Sequence, residues 1–379
     1  MVWFAAIVLV LLLASAAEVL IGMGRIVRLI DLPDLAGPAP KVSIVVAARN
    51  EARSIATAVA SMLEQRYPDY EVVVVDDRST DATGAILDRI AAAEPRLRVI
   101  HVTELPPGWL GKNHALQVGA EAASGEWILF TDADVHLRED VLSRAVRYCL
   151  DHGVDHLAGS PDARMQGWLL RAFGVFFLTA FLSFAKPWRA RDPKSWFHVG
   201  VGAFNLVRRS AYLGVEGHRR IPLRPDDDLK LGKVLKRAGY RQDAVAGNGM
   251  IVVEWYHSLG EMVRGLEKNM FAGIEYSILL SLAGGLAQLA FGVAPLVLVF
   301  VTHGPAQLLF AAAIATGFGF SAIVARRFSE SPWLAFLTPA AVLLFVVVLW
   351  RTMVVNLVSG GIRWRDTFYP LRALKANRV

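Results

Sequence analysis

Between residues 41 and 150 short apolar runs alternate with helical patterns, and charged residues follow several of the runs. Val42-Ser43-Ile44-Val45-Val46-Ala47-Ala48 reads as a buried strand, and residues 51–65 as a helix with Ile55, Val59, Met62 and Leu63 at helical spacing. Glu71-Val72-Val73-Val74-Val75-Asp76 reads as a second strand, with Ser79 or Thr80 able to cap a helix that runs to about residue 93. Residues 97–101 give a shorter third strand, 113–123 a helix, 127–130 a strand, and a further helix starts at about 139. After a gap, residues 203–207 and 250–255 read as strands and 228–238 as a helix. Such alternation predicts an α/β fold whose sheet is mostly parallel and covered on both faces.

Hydrophobic residues make up 54% of the 379-residue chain and its mean hydropathy is +0.41, too apolar for a wholly soluble enzyme. Residues 3–24 carry one charge, Glu18, and are long enough to cross a bilayer core. Arg25 and Arg28 follow them and no basic residue precedes them. That is the reverse of a secretory signal, so residues 1–28 are expected to be an uncleaved anchor with the following domain in the cytoplasm. Residues 31–41, with Pro33, Gly37, Pro38 and Pro40, read as a linker. Residues 277–301, 306–325 and 334–350 are further candidate spans within a membrane region at 270–358. The basic tail at 359–379 suits the cytoplasm, but three full spans would leave it outside. One stretch is therefore expected to be re-entrant or interfacial, with 334–350, the shortest, the first choice. Residues 168–188 are open to two readings, a span or a helix lying in the membrane interface. The second is preferred, because a span would put the later acidic motif outside.

The net charge of +6 fits anionic lipid headgroups, and no basic tract interleaved with aromatics argues for nucleic acid. The lone Cys149 rules out an intramolecular disulfide and a cysteine metal site, and reads as a buried structural thiol.

Parallel strands bring their carboxyl ends to one edge, where open α/β sheets bind ligands. Arg49-Asn50-Glu51, Asp76-Asp77-Arg78-Ser79-Thr80-Asp81 and Thr131-Asp132-Ala133-Asp134 all follow strands, and Gly111-Lys112-Asn113 opens a helix. Each cluster has an ordinary explanation as a cap, a first-turn acid or a solvated charge. Together they can hold a nucleotide sugar. One carboxylate can accept a uracil N3–H and another a ribose hydroxyl. A lysine and a divalent cation (Mg2+ or Mn2+) on Asp132 and Asp134 can neutralise a diphosphate. Asp226-Asp227-Asp228 opens a later helix. Crowded carboxylates raise one another's pKa, which suits a general base that takes a proton from an attacking hydroxyl. Direct displacement of that kind inverts the anomeric carbon.

Residues 42–51, 73–81, 111–116, 131–134 and 227–239 resemble, in order and spacing, the successive motifs of family 2 glycosyltransferases with the GT-A (Rossmann-like) fold. The match covers about residues 41–260. The terminal apolar segments, and Trp364-Arg365 near Tyr369-Pro370, resemble the membrane-bound branch that includes ceramide glucosyltransferase and hopanoid- or carotenoid-associated bacterial enzymes. The resemblance implies that Glu51 and Asp77 contact the nucleoside and that Lys112 lies near the donor phosphates. It makes Asp134 the chief metal ligand supported by Asp132, and puts Asp228 at the base position with Asp227 before it. It also implies a multi-pass protein of a bacterial-type inner (plasma) membrane, acting on a nucleotide-sugar donor and a lipid acceptor. The Gln-x-x-Arg-Trp motif of processive synthases is absent. Arg264 or Lys268 is a candidate substitute, and a surface role at the membrane boundary is the alternative. The aromatic residues of 168–188 are where a lipid acceptor would be sought. Two other readings stay open: a polyprenyl-phosphate sugar transferase, or a catalytically inactive membrane scaffold.

Overall fold

Val72, Val73, Val74 and Val75 are all 0% exposed, and so are Val42, Ile44, Val45 and Val46. Strands buried on both faces need a cover on each side, which a parallel sheet with crossover helices supplies. In the computed structural model, which describes residues 1–379, these strands lie side by side inside an eight-stranded sheet. The strands are β1 (Val27–Arg28), β2 (Val42–Ala48), β3 (Tyr70–Asp77), β4 (Leu97–Val102), β5 (Trp127–Asp132), β6 (His156–Ser160), β7 (Asn205–Arg208) and β8 (Gln242–Ala246). Their spatial order is β1, β8, β6, β7, β5, β2, β3, β4. Every neighbouring pair is parallel except those made by β7, which runs against both β5 and β6. The fold is therefore α/β with a mostly parallel sheet.

Register brings the important ends level. Ala47 of β2 stands opposite both Val75 of β3 and Asp132 of β5. The helix Gly111–Ala122 lies close on this part of the sheet because Gly119 has no side chain. A Cβ there would come 2.5 Å from Val45 and 3.2 Å from Val75. One core, with Ile44, Val46 and Trp127, fills one face, and a second, with Val45, Phe130 and Leu231, fills the other. Cys149 is fully buried, and burial pushes its thiol pKa well up, as befits a structural thiol.

Several sequence expectations shift in detail. Neither Ser79 nor Thr80 caps the second helix, which runs Thr83–Ala91. The Ser79 hydroxyl accepts from the Asn50 backbone N–H, and the Thr80 N–H donates to the Asn50 side chain. A two-residue strand, Val27–Arg28, and a 3-10 turn, Leu29–Asp31, with Leu29 fully buried, precede residues 32–41, which carry no regular structure.

Contacts divide the chain into two compact units. The sheet unit comprises Ile26–Ala163, Pro187–Glu254 and Ala376–Val379. The other comprises Met1–Arg25, Arg164–Lys186 and Trp255–Lys375. In that second unit Val2–Met23, Trp168–Arg189, Pro305–Arg327 and Pro332–Val358 are each long and apolar enough to cross a membrane. Its surface exposes Leu279, Phe300 and Val358 at 75%, 81% and 84%, which suits lipid and not water. Two ion pairs tie its helices, Lys186 to Glu18 at 2.7 Å and Arg171 to Glu330 at 2.5 Å. The stretch expected to be re-entrant or interfacial begins in a 3-10 helix, Pro332–Leu337. Thr338–Val358 is one unbroken helix, running past Arg351, which pairs with Glu267 at 2.6 Å. A second apolar stretch is bent: Ile278–Gly292 and Ala294–Val301 meet at 46°. Pro295 opens the second piece and has no N–H to continue the helical ladder.

Candidate active site

The carboxyl edge of β2, β3 and β5 is held by a mesh between two loops. The backbone N–H groups of Asn50, Glu51 and Ala52 donate to Ser79, Thr83 and Asp81 at 3.0, 2.8 and 3.1 Å. Asn50 and Arg78, each following a strand, take φ of 56°, a left-handed conformation that side-chain residues seldom adopt. Asp77 is 3% exposed and holds Arg78 with two contacts of 2.7 and 3.0 Å, with Arg49 3.8 Å away. A Cβ on Gly111 would strike the Asp77 carboxylate, so the helix that carries Lys112 begins directly against Asp77.

Lys112 is the meeting point. Its Nζ lies 2.8 Å from Asp132 and 3.4 Å from Asp227. Burial alone would lower the Lys112 pKa, but Asp132, Asp227 and Asp228 outweigh it and raise the pKa well above the usual lysine range. Asp228 is pushed up to about 7, first by burial and then by Asp227, with Lys112 opposing. Asp227 is raised by burial, again against the pull of Lys112. Asp134 is pushed up to about 7 by burial, then by Asp132 and Glu51. Thus Lys112, Asp132, Asp134, Asp227, Asp228 and Glu51 share one electrostatic neighbourhood, and Asp77 adjoins it through Gly111. No three His, Cys, Asp or Glu side chains are gathered into a cage for an ion. The donor set is nonetheless all hard oxygen, and burial together with neighbouring acids raises the pKa of Asp134 and Asp228. Those two facts fit a divalent cation.

Four features of this edge are not apparent from motif spacing. Gly200 and Gly202 line it: a Cβ on Gly202 would lie 2.8 Å from Asp132 Oδ2 and 3.5 Å from Asp228 Oδ2. A Cβ on Gly200 would strike the Asp228 backbone carbonyl. The alternating glycines of Val199-Gly200-Val201-Gly202 were the available signal, since Gly marks close backbone approach. Arg224 is fully buried and grips Asp226 at 2.9 and 3.0 Å. Asn113, also fully buried, donates to the carbonyls of Ile221 and Arg224 at 2.7 and 2.9 Å. It thereby ties the start of the Lys112 helix to the loop that delivers Asp227 and Asp228.

An open α/β sheet with an acidic, lysine-bridged cluster at its carboxyl edge belongs to the doubly wound class, whose ligands bind at that edge. Residues 43–214 match the model of the glycosyl transferase family 2. The chain therefore contains a glycosyltransferase family 2 domain. It is 37% identical over 113 residues to a beta-monoglucosyldiacylglycerol synthase of Synechocystis, covering 29% of this chain and 23% of that protein. It is 24% identical over 244 residues to a 4,4'-diaponeurosporenoate glycosyltransferase of Staphylococcus haemolyticus, covering 61% of each. The chain thus spans less than two thirds of the length of these relatives. Among solved structures, a mannosyltransferase of Pyrobaculum calidifontis, in complex with GDP-Man and Mn2+, superposes with a TM-score of 0.54 at 22% identity, covering 94% of this chain and 99% of that one. At that identity the likeness concerns the fold, which is GT-A-like.

Proposed function

We propose that the protein is a membrane-bound, inverting glycosyltransferase that moves a sugar from a nucleoside-diphosphate donor, read here as a UDP-sugar, to the hydroxyl of a lipid. The observation that carries this reading is the Lys112 bridge. One ammonium joins Asp132 at the end of β5 to Asp227 at the start of the helix Asp227–Arg237, so donor-phosphate and base positions fall in one site. Glu51 and Asp77 lie at the ends of neighbouring strands, where they would hold the nucleoside. Asp134, supported by Asp132, would hold a Mg2+ or Mn2+ ion together with donor diphosphate oxygens and water. When bound, that ion supplies Lewis-acid neutralisation of the diphosphate leaving group. Lys112 adds positive charge on the same side.

Asp228 then has a defined task. Its carboxylate takes the proton of the acceptor hydroxyl while that oxygen attacks the anomeric carbon from the face opposite the diphosphate. The new C–O bond forms as the bond to the diphosphate breaks, so the configuration inverts. A carboxyl group with a pKa near 7 is matched to this work at neutral pH. The names of the two relatives, a synthase of a glucosyldiacylglycerol and a glycosyltransferase of a carotenoid acid, support a lipid acceptor. Arg25 and Arg28 after the first apolar helix support placing the site on the cytoplasmic face.

The test is turnover by the purified full chain in lipid nanodiscs, given nucleotide sugars, Mn2+ and a membrane lipid extract, with products read by mass spectrometry. A hexose added to a lipid, dependent on cation and donor, is the expected result. Absence of both transfer and donor hydrolysis with every sugar nucleotide would favour the inactive scaffold.

A further inference from the structure

A second charged surface lies on the sheet unit, beyond the carboxylate site. Residues 187–198 and 229–241 hold eight Lys or Arg and one acid, Asp192. The two segments are fastened together, because Lys236 Nζ donates to the carbonyls of Ala190 and Asp192 at 2.6 and 2.7 Å. Between them is a cavity of about 430 Å3, lined by Ser195, Trp196, His198, Lys233, Lys236 and Arg237. Trp196 is 84% exposed, the most exposed large apolar side chain on this unit. Lys236 and Arg237 also suit the negative end of their helix, but that role explains neither the cavity nor a bare indole.

We propose that this face docks on the anionic headgroups of a lipid bilayer, with Trp196 seated in the interfacial layer and Lys194, Lys233 and Arg237 meeting headgroup phosphates. An indole with an apolar body and one N–H suits that layer, and clustered cations are drawn to anionic leaflets. A bilayer is the partner the chain itself points to, since four of its helices are long and apolar enough to cross one. The docking reaches the reaction through the chain. Trp196 leads within four residues to Gly200, whose backbone abuts Asp228. Lipid contact would therefore hold one wall of the site beside the acceptor's source. This inference concerns where the unit meets lipid and stands whether or not the proposed transfer is correct.

The test is amide hydrogen exchange on the full chain in nanodiscs of phosphatidylcholine alone and with about one third phosphatidylglycerol. Exchange across residues 189–198 and 229–237 should slow by about threefold or more in the anionic discs, and the protection should vanish in high salt. Lys194→Gln/Lys233→Gln/Arg237→Gln should lose the protection, and Trp196→Ser should reduce it, with exchange in β2 and β3 unchanged as the check of folding. Equal exchange in both discs would overturn the proposal. So would the same protection produced in neutral discs by glycerol phosphate, which would mark a site for a small soluble anion instead.

Discussion

At the scale of single residues the account turns on how one ammonium balances several acids. Lys112→Ala would leave Asp132, Asp227 and Asp228 facing one another without their shared cation. The expected result is a fall in kcat of about 100-fold, with Lys112→Arg recovering part of it. Steady-state kinetics on the two variants checks this. The raised acids also set a pH dependence. Asp134 and Asp228 keep their protons to about pH 7 in the folded chain. Unfolded aspartates release theirs near pH 4 (about 3.9). Between those values the folded state binds more protons, so stability falls as pH rises through the window. Thermal unfolding in chelator should therefore show a lower Tm at pH 8 than at pH 5.5. Asp228→Asn should flatten the slope, and Mn2+ should raise Tm more at the higher pH.

At the scale of elements, the site depends on two segments that approach without side chains or through one amide. Gly202→Ala would push on Asp132 at 2.8 Å and bring a methyl into contact with Asp228 at 3.5 Å. Both contacts are side-chain ends that can yield, so the expectation is a retained fold with kcat down about tenfold or more. Asn113→Ala would remove a donor from the Arg224 carbonyl and leave the Ile221 carbonyl with the Arg224 N–H, costing about 1–3 kcal/mol and loosening the loop before Asp227. A lowered Tm together with a lowered kcat is expected, while a change in Tm alone would make Asn113 purely structural. The same elements show why parts of the chain were readable in advance. The valine run of β3 is apolar throughout, so burial on both faces is written in its composition. β6 and β8 were hidden because they begin with His156, Gln242 and Asp243, all buried. Those side chains find partners only in three dimensions: His156 Nε2 with Asn205 at 2.5 Å, Gln242 Nε2 with the Gly232 carbonyl at 2.5 Å, Asp243 with Tyr148 at 2.6 Å. The carboxylates of the site were legible because strand ends and helix starts carry them at fixed offsets. Gly200 and Gly202 were not, since their importance lies in what they come close to, and Asn113, although named beside Lys112, gave no sign of its tie to the carbonyls of Ile221 and Arg224.

At the scale of the whole molecule, a GT-A-like unit and a set of long apolar helices share one chain. Their sequences interleave, since Arg164–Lys186 and Trp255–Lys375 belong with the apolar helices and Ala376–Val379 returns to the sheet unit. Asn377 binds there, accepting from Leu223 N–H at 3.0 Å and donating to the Arg220 carbonyl at 3.2 Å. Cutting the chain at residue 375 should thus disturb the loop that leads to Asp227, with a several-fold loss of kcat and little change in donor KM. The central claim is that Asp228 removes the proton of a lipid hydroxyl. The most direct measurement is the rate of lipid glycoside formation by Asp228→Asn in nanodiscs, beside donor affinity measured on the same preparation. The account predicts a rate lower by about 1000-fold, with donor affinity changed by no more than about twofold. A variant that transfers sugar at the unmodified rate would contradict it, and would point instead to an acceptor already ionised, such as a polyprenyl phosphate.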